Sequence, residues 1–243
     1  MSAFRPGLLP SLLVLALLPL LLGLGFWQLA RAEEKRALLA VHQARQVAAA
    51  IAIGQLERHA DPAYVRVQLH GRFDARHSLL LDNRIRGGRA GVEVLQPFLD
   101  QASGLWLLLN RGWLPWPDRR IAPAFATPAS DLTLTAWAYV PLGEAFRLHQ
   151  ERPGNGWPRL VTAVEADALW RQLGRAGLSY ELRIEPGPAS FQADWPVVAM
   201  SPDKHLGYAV QWFALAAALL GLFIHFGLHN ARETRHEPSH RSA

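Results

Sequence analysis

Residues 7–29 read GLLPSLLVLALLPLLLGLGFWQL, and residues 206–228 read LGYAVQWFALAAALLGLFIHFGL. Each stretch is 23 residues long, and a helix crossing the hydrocarbon core needs about 20. The charge-free runs are longer still. No Asp, Glu, Lys or Arg occurs over the 25 residues Pro6–Ala30 or the 27 residues His205–Ala231. The sequence therefore predicts two membrane-spanning helices, over 7–29 and 205–228. Ala30-Arg31-Ala32 resembles a signal-peptidase site. The apolar core of a secretory signal is only about 7–15 residues, so the first segment reads as a retained anchor. Pro10 and Pro19 predict kinks in it.

Removing these segments leaves ordinary globular material. The chain has 243 residues, 50% of them hydrophobic and 19% charged, and the spans account for the apolar excess. Intrinsic disorder, a collagen and a fully soluble protein are excluded. The net charge of +5 is no sign of nucleic-acid binding. Residues 32–204 hold 20 Lys+Arg against 18 Asp+Glu, not the dense basic face that such binding requires. The remaining excess lies beside the spans, where it meets lipid headgroups. With no cysteine in the chain, disulfides, iron–sulfur clusters, Cys-bound zinc and covalently attached haem are excluded.

Arg232, Arg235 and Arg241 favour a cytoplasmic tail over 229–243, while around the first span Arg31, Lys35 and Arg36 against Arg5 alone point the other way, and the tail is taken to decide. Two spans put residues 1–6 on that same side and residues 30–204 on the outer side. These outer residues change period along their length. Ala32–Ile53 is rich in Ala, Glu, Arg and Gln and predicts a helix continuing the first span. Tyr64–Phe73 alternates apolar and polar, as a half-buried strand does. Further strands are expected at His77–Leu81, Gly91–Phe98, Leu105–Asn110, Leu132–Tyr139 and Ser179–Glu185, and a Pro-rich loop at Pro115–Pro128. Glu165–Leu173 reads as one short helix, with Thr162 and Glu165 at capping-box spacing. The fold class is a membrane protein in which two transmembrane helices flank a β-rich α+β extracytoplasmic domain, a small barrel or sandwich.

No nucleophile elbow, P-loop, zinc-protease motif or dinucleotide fingerprint is present, so no catalytic residue is expected. The informative residues lie where the spans leave the membrane on the domain side. A helical hairpin sets Trp27, Gln28 and Arg31 level with His205, Tyr208 and Trp212. The last three share one side of their helix at i, i+3 and i+7, and Trp27 and Arg31 share one at i, i+4. Gly23, Gly25 and Gly207 would let the backbones approach closely. A histidine at the lip of a span, among aromatics and a cation, suits a haem: axial nitrogen, ring cover and a partner for propionates. The same residues also suit a plain interfacial aromatic belt with a solvated histidine, and residues alone leave both readings open. His225 and His229, at i, i+4 near the other face, are a possible metal pair, with His236 and His240 beyond. Arg84-Ile-Arg-Gly-Gly-Arg89 reads as an exposed basic hairpin turn without a nearby acid, suited to lipid phosphate or an acidic partner. Asn110-Arg-Gly-Trp113 reads as a strand end with a buried tryptophan.

Three motifs occur in order: Gly25-Phe-Trp-Gln-Leu-Ala-Arg-Ala-Glu-Glu-Lys35, Leu109-Asn-Arg-Gly-Trp-Leu-Pro115 and His205-Leu-Gly-Tyr-Ala-Val-Gln-Trp-Phe213. With both spans in place, the chain resembles the Surfeit-locus (Surf-one or Shy-one) family along nearly its whole length. The resemblance implies a non-enzymatic assembly factor for haem–copper cytochrome c oxidase. It implies transient binding of haem a and its delivery to the catalytic subunit, the partner together with other assembly factors and membrane lipid. The family's histidine at the start of the second span falls on His205 as axial ligand of the haem iron, with Tyr208, Trp212, Trp27, Gln28 and Arg31 around it. Where many relatives carry two asparagines before that histidine, this chain has Asp203-Lys204. The implied location is the cell inner membrane, with the large domain in the periplasm. The alternative is a haem-free scaffold that stabilises the catalytic subunit during assembly.

Overall fold

A computed structural model describes residue 4 and residues 6–140 and 156–233. The chain folds as two compact units, one within residues 1–41 and 197–243 and the other spanning 42–196.

The first unit is built from two long helices. α1 (Leu8–Val47) has 40 residues and α4 (Pro202–Glu233) has 32, or about 60 and 48 Å at 1.5 Å per residue. Both are long and apolar enough to cross a membrane. Their apolar side chains are left outside: Leu8, Leu9, Leu15, Val210 and Leu222 are all exposed, as lipid-facing positions must be. α1 runs unbroken through Pro19, with Pro10 in its first turns, where backbone N–H groups lack intrahelical partners anyway. Of the three glycines expected to allow close approach, only Gly25 does so. It is buried, and a Cβ there would overlap the ring of Phe213, whereas Gly23 and Gly207 have open space around them. The small residues Ala209 and Ala216 are buried on α4, and Phe26 meets Phe213 edge-on at 5.3 Å.

The second unit is a barrel. Its strands are β1 (Ile51–Ala52), β2 (Arg66–Phe73), β3 (Leu79–Arg86), β4 (Arg89–Asp100), β5 (Trp106–Pro115), β6 (Leu132–Tyr139), β7 (Arg159–Val161) and β8 (Gly177–Ile184), with short helices α2 (Ile53–Leu56) and α3 (Ala166–Leu173). The sheet order is β1-β2-β6-β8-β5-β4-β3-β7, and an added β2–β4 pairing closes five strands into a ring. Closure depends on β4, whose 12 residues share one edge between two neighbours. Its first half pairs with β3, and Phe98–Asp100 pair with Gly71–Phe73 of β2. Gly71 is obligatory there, because a Cβ would overlap the Leu99 carbonyl.

Inside the ring Val67, Leu69, Phe73, Phe98, Leu107, Leu109, Leu182 and Ile184 form the main core. α3 covers part of the outer face, where Leu169 and Trp170 pack with Leu81, Leu95 and Leu108. The expected helix to Ile53 stops instead at Val47. The β-branched residues beyond it are recruited by the barrel. Ile51 pairs with Val67 of β2, and Ile53 is buried in the main core. The N-cap position of α3 is Glu165 rather than Thr162. The chain just before it is drawn out as β7, the parallel edge partner of β3. The last turns of α1 belong to this unit too. His42 stands edge-on to Tyr64 (5.1 Å) and Trp137 (5.7 Å), and Arg45 binds Asp61 at 2.9 Å.

Candidate functional site

His205 lies in the first turn of α4, where Ser201 accepts the backbone N–H groups of Lys204 and His205. It is only 8% exposed, because its ring faces α1. Its Nδ1 is 2.7 Å from Gln28 Oε1. The amide oxygen only accepts, so Nδ1 carries a proton, and in the neutral ring Nε2 holds the lone pair. A hydrogen bond that fixes the tautomer is the usual outer-shell support of a metal-binding imidazole. The donor set therefore fits a ligand of haem iron: one oriented imidazole at the end of an apolar segment.

The aromatic residues expected around it are arranged more openly. Trp27 is 52% and Tyr208 45% exposed, while Trp212 is half-buried. None of the three stacks on another ring among the described residues. Arg31 lies 5.8 Å from the Trp27 ring, the i, i+4 pairing expected, but its guanidinium is also held by Glu34 at 2.5 Å. The structure thus joins Gln28 to His205 and Arg31 to Trp27, and leaves indole and phenol faces available to an apolar planar ligand or to lipid. At the far end of α4, the rings of His225 and His229 are parallel within 6° at 6.3 Å. No group of three metal-ligating side chains exists among the described residues, and His236 and His240 lie outside them.

The barrel holds a polar network whose extent the sequence concealed. Arg111 is 2% exposed in mid-strand. It continues the inward-facing set of Leu107 and Leu109 and closes one end of the core. Its guanidinium donates to Gln96 Oε1 (2.6 Å), the Ala189 carbonyl (2.8 Å) and the Ala126 carbonyl (3.0 Å). The rings of Phe191 and Phe73 flank it at 4.5 and 5.0 Å. Burial pushes its pKa down to about 10. The next residue, Gly112, has φ of 112° beside the Gln192 carbonyl, where a side chain would collide. Trp113 is buried as expected, and its indole N–H donates to the Arg84 carbonyl at 2.9 Å.

On the outer face of the strands, Asn110 donates to Glu93 at 2.9 Å and approaches Glu181 Oε1 at 3.5 Å. Arg183 binds Glu181 at 2.8 Å and lies over Tyr139 and Trp195 at 3.5 and 4.8 Å. Burial pushes the Glu181 carboxyl up. The Arg84–Arg89 turn is the predicted hairpin, but it does have acids beside it. Glu93 lies across the pair of strands, 3.5 Å from Arg86 and 3.9 Å from Arg84, and Asp194 also pairs with Arg86. The sequence missed this because these acids lie 7 and 108 positions from Arg86.

Two apolar helices and a small closed barrel, with an oriented imidazole at the start of the second helix, define a class of membrane-anchored barrel proteins. The chain belongs to the SURF1 family, whose model matches residues 15–217. It is 25% identical over 236 residues to a SURF1-like protein of Rickettsia felis, an alignment covering 88% of this chain and 95% of that one. A SURF1-like protein of Rickettsia conorii is 23% identical, covering 88% and 89%. The family is one of assembly factors linked to cytochrome oxidase rather than a class of enzymes.

Proposed function

We propose that this protein holds haem a at the outer interface of the cell inner membrane and aids its insertion into the catalytic subunit of a haem–copper cytochrome c oxidase. The observation that carries this reading is the His205–Gln28 hydrogen bond, which links the two apolar helices and presents Nε2 as a lone-pair donor. In this reading His205 would hold the haem iron, and Trp27, Tyr208 and Trp212 would offer apolar faces to the porphyrin. Arg31 serves a propionate by exchanging its contact with Glu34, an exposed pair that costs little to break. Bound haem supplies the cofactor cargo itself; the chain's residues bind, orient and release it. The barrel lies on the periplasmic side, with both termini inside.

The test is coexpression with a haem a synthesis pathway, followed by a visible spectrum of the detergent-purified protein. The parent is expected to show a Soret band that His205→Ala loses. Equal haem in the variant refutes the ligand assignment. Stoichiometric co-purification of the oxidase catalytic subunit without a Soret band would instead establish the haem-free scaffold.

A further inference from the structure

We propose that the cleft beside the β3–β4 hairpin docks an extended, acidic segment of another polypeptide. The cleft has a volume of about 770 Å³, and Arg84, Ile85, Arg86, Glu93, Asp194 and Trp195 are among its walls. This inference goes beyond the haem reading and does not depend on it.

The turn end of β3 offers an open backbone edge. Gly87 and Gly88 both have positive φ, 54° and 73°, and form the two-residue turn. The register pairs Arg86 with Arg89, Ile85 with Ala90 and Arg84 with Gly91. In such a hairpin the pair flanking the turn exchanges hydrogen bonds and the next pair does not. The N–H and C=O of Ile85 therefore face away from β4. Ala90 confirms this parity, because its carbonyl points to the far side and accepts the Trp116 N–H at 3.1 Å. β7 covers β3 only at Leu79–Leu81, so among the described residues nothing pairs with the outward groups of Ile85, which suit a strand-like partner, and the Ile85 side chain is 73% exposed.

The same wall sets an unmet donor next to a replaceable acceptor. Among the described residues Arg84 Nε is buried without a hydrogen bond, and Glu93 Oε2 lies 3.9 Å away. Arg86 donates to both the carboxylate and the backbone carbonyl of Asp194. Asp194 is 67% exposed and sits on an irregular segment, where it also accepts from Gln192 at 3.1 Å. It shows which group this wall prefers: a carboxylate attached to an extended backbone. A partner's Asp or Glu would satisfy Arg84 and replace Asp194 on Arg86. Trp195 stays as a fixed wall, its indole N–H bound to the Ile184 carbonyl at 3.0 Å and its ring 5.5 Å from the Arg86 guanidinium. With Asp194 swung out, Arg84 and Arg86 outweigh the one remaining anion, Glu93. Burial pushes the neighbouring Glu181 towards its neutral form.

The probe is a blocked synthetic heptapeptide, Ser-Val-Glu-Ile-Glu-Val-Ser, titrated by calorimetry into the full chain in detergent. Asp194→Asn is expected to bind it at least threefold tighter than the parent, and Arg84→Gln and Ile85→Pro at least tenfold more weakly. Hydrogen exchange of the Ile85 amide should slow when peptide is present, and this decides the matter in the parent if Ile85→Pro does not fold. No detectable binding, equal binding of the Glu→Gln or Glu→Lys peptide, or unchanged Ile85 exchange overturns the proposal. So does inorganic phosphate displacing the peptide with no effect of Ile85→Pro, which would make this a simple anion site.

Discussion

Replacing Arg111 with leucine should strongly destabilise the barrel. The guanidinium satisfies three buried oxygens, on Gln96, Ala126 and Ala189. A buried acceptor left unsatisfied costs about 1–3 kcal/mol, and the two flanking phenyl faces lose a cation–π contact of about 1 kcal/mol each. Leucine recovers part of this as apolar burial at the barrel end, so the net loss should be about 3–5 kcal/mol. That is a large share of the roughly 5–15 kcal/mol of a typical domain. The assay is urea unfolding of the detergent-solubilised full chain, followed by tryptophan fluorescence, because Trp113, Trp137 and Trp170 are all buried in the barrel unit. Arg111→Lys should lie between leucine and parent, since an ammonium cannot span all three oxygens from one position. Adding Gln96→Leu to Arg111→Leu removes one of the stranded acceptors, so the double variant should be about 1 kcal/mol more stable than the two single effects predict. A leucine variant within 1 kcal/mol of the parent, or strict additivity of the pair, would refute the view that these hydrogen bonds hold the barrel end together.

Other consequences follow from single contacts. Gln28→Leu should leave the fold intact but weaken haem retention by roughly 10-fold, the usual scale for losing a ligand's outer-shell partner; unchanged Soret intensity would show that His205 needs no orienting bond. Gly71→Ala should lower stability by about 3 kcal/mol or prevent folding, because β2 and β4 cannot then approach to close the ring; circular dichroism and thermal unfolding read this directly. Burial alone would push the Asp74 carboxyl up, but bonds from His77 and Arg175 (both 2.7 Å) and the Arg76 N–H outweigh it and hold it below the usual range. Its folded pKa is depressed, so its stabilisation is present above the unfolded value of about 3.9 and is lost as pH falls through the lower folded value. Asp74→Asn should therefore cost stability at neutral pH and flatten the acid limb below about pH 4, and an unchanged stability–pH profile would contradict the assignment.

What was legible before any coordinates follows from local physics. Two long charge-free runs predict membrane-crossing helices, because each is apolar for longer than the hydrocarbon core requires. The alternation of Tyr64–Phe73 and Leu132–Tyr139 marked strands, and His205 stood out as a histidine at the end of an apolar segment. The choice between barrel and sandwich was not legible, since it rests on which strand pairs with the free half of β4, more than 25 residues from Gly71. Gln28 and His205 are 177 positions apart, so only the packing of α1 on α4 decides that the imidazole faces an amide rather than a tryptophan. The ends of elements went the same way. Ile51–Ile53 has helical neighbours in sequence, but the barrel offers it a strand partner and a core, and burial outweighs a propensity difference of less than 1 kcal/mol per residue. Period and composition report what each residue prefers beside its neighbours. Partner choice, charge burial and ring closure belong to the tertiary structure, because each depends on contacts between groups that the chain itself keeps far apart.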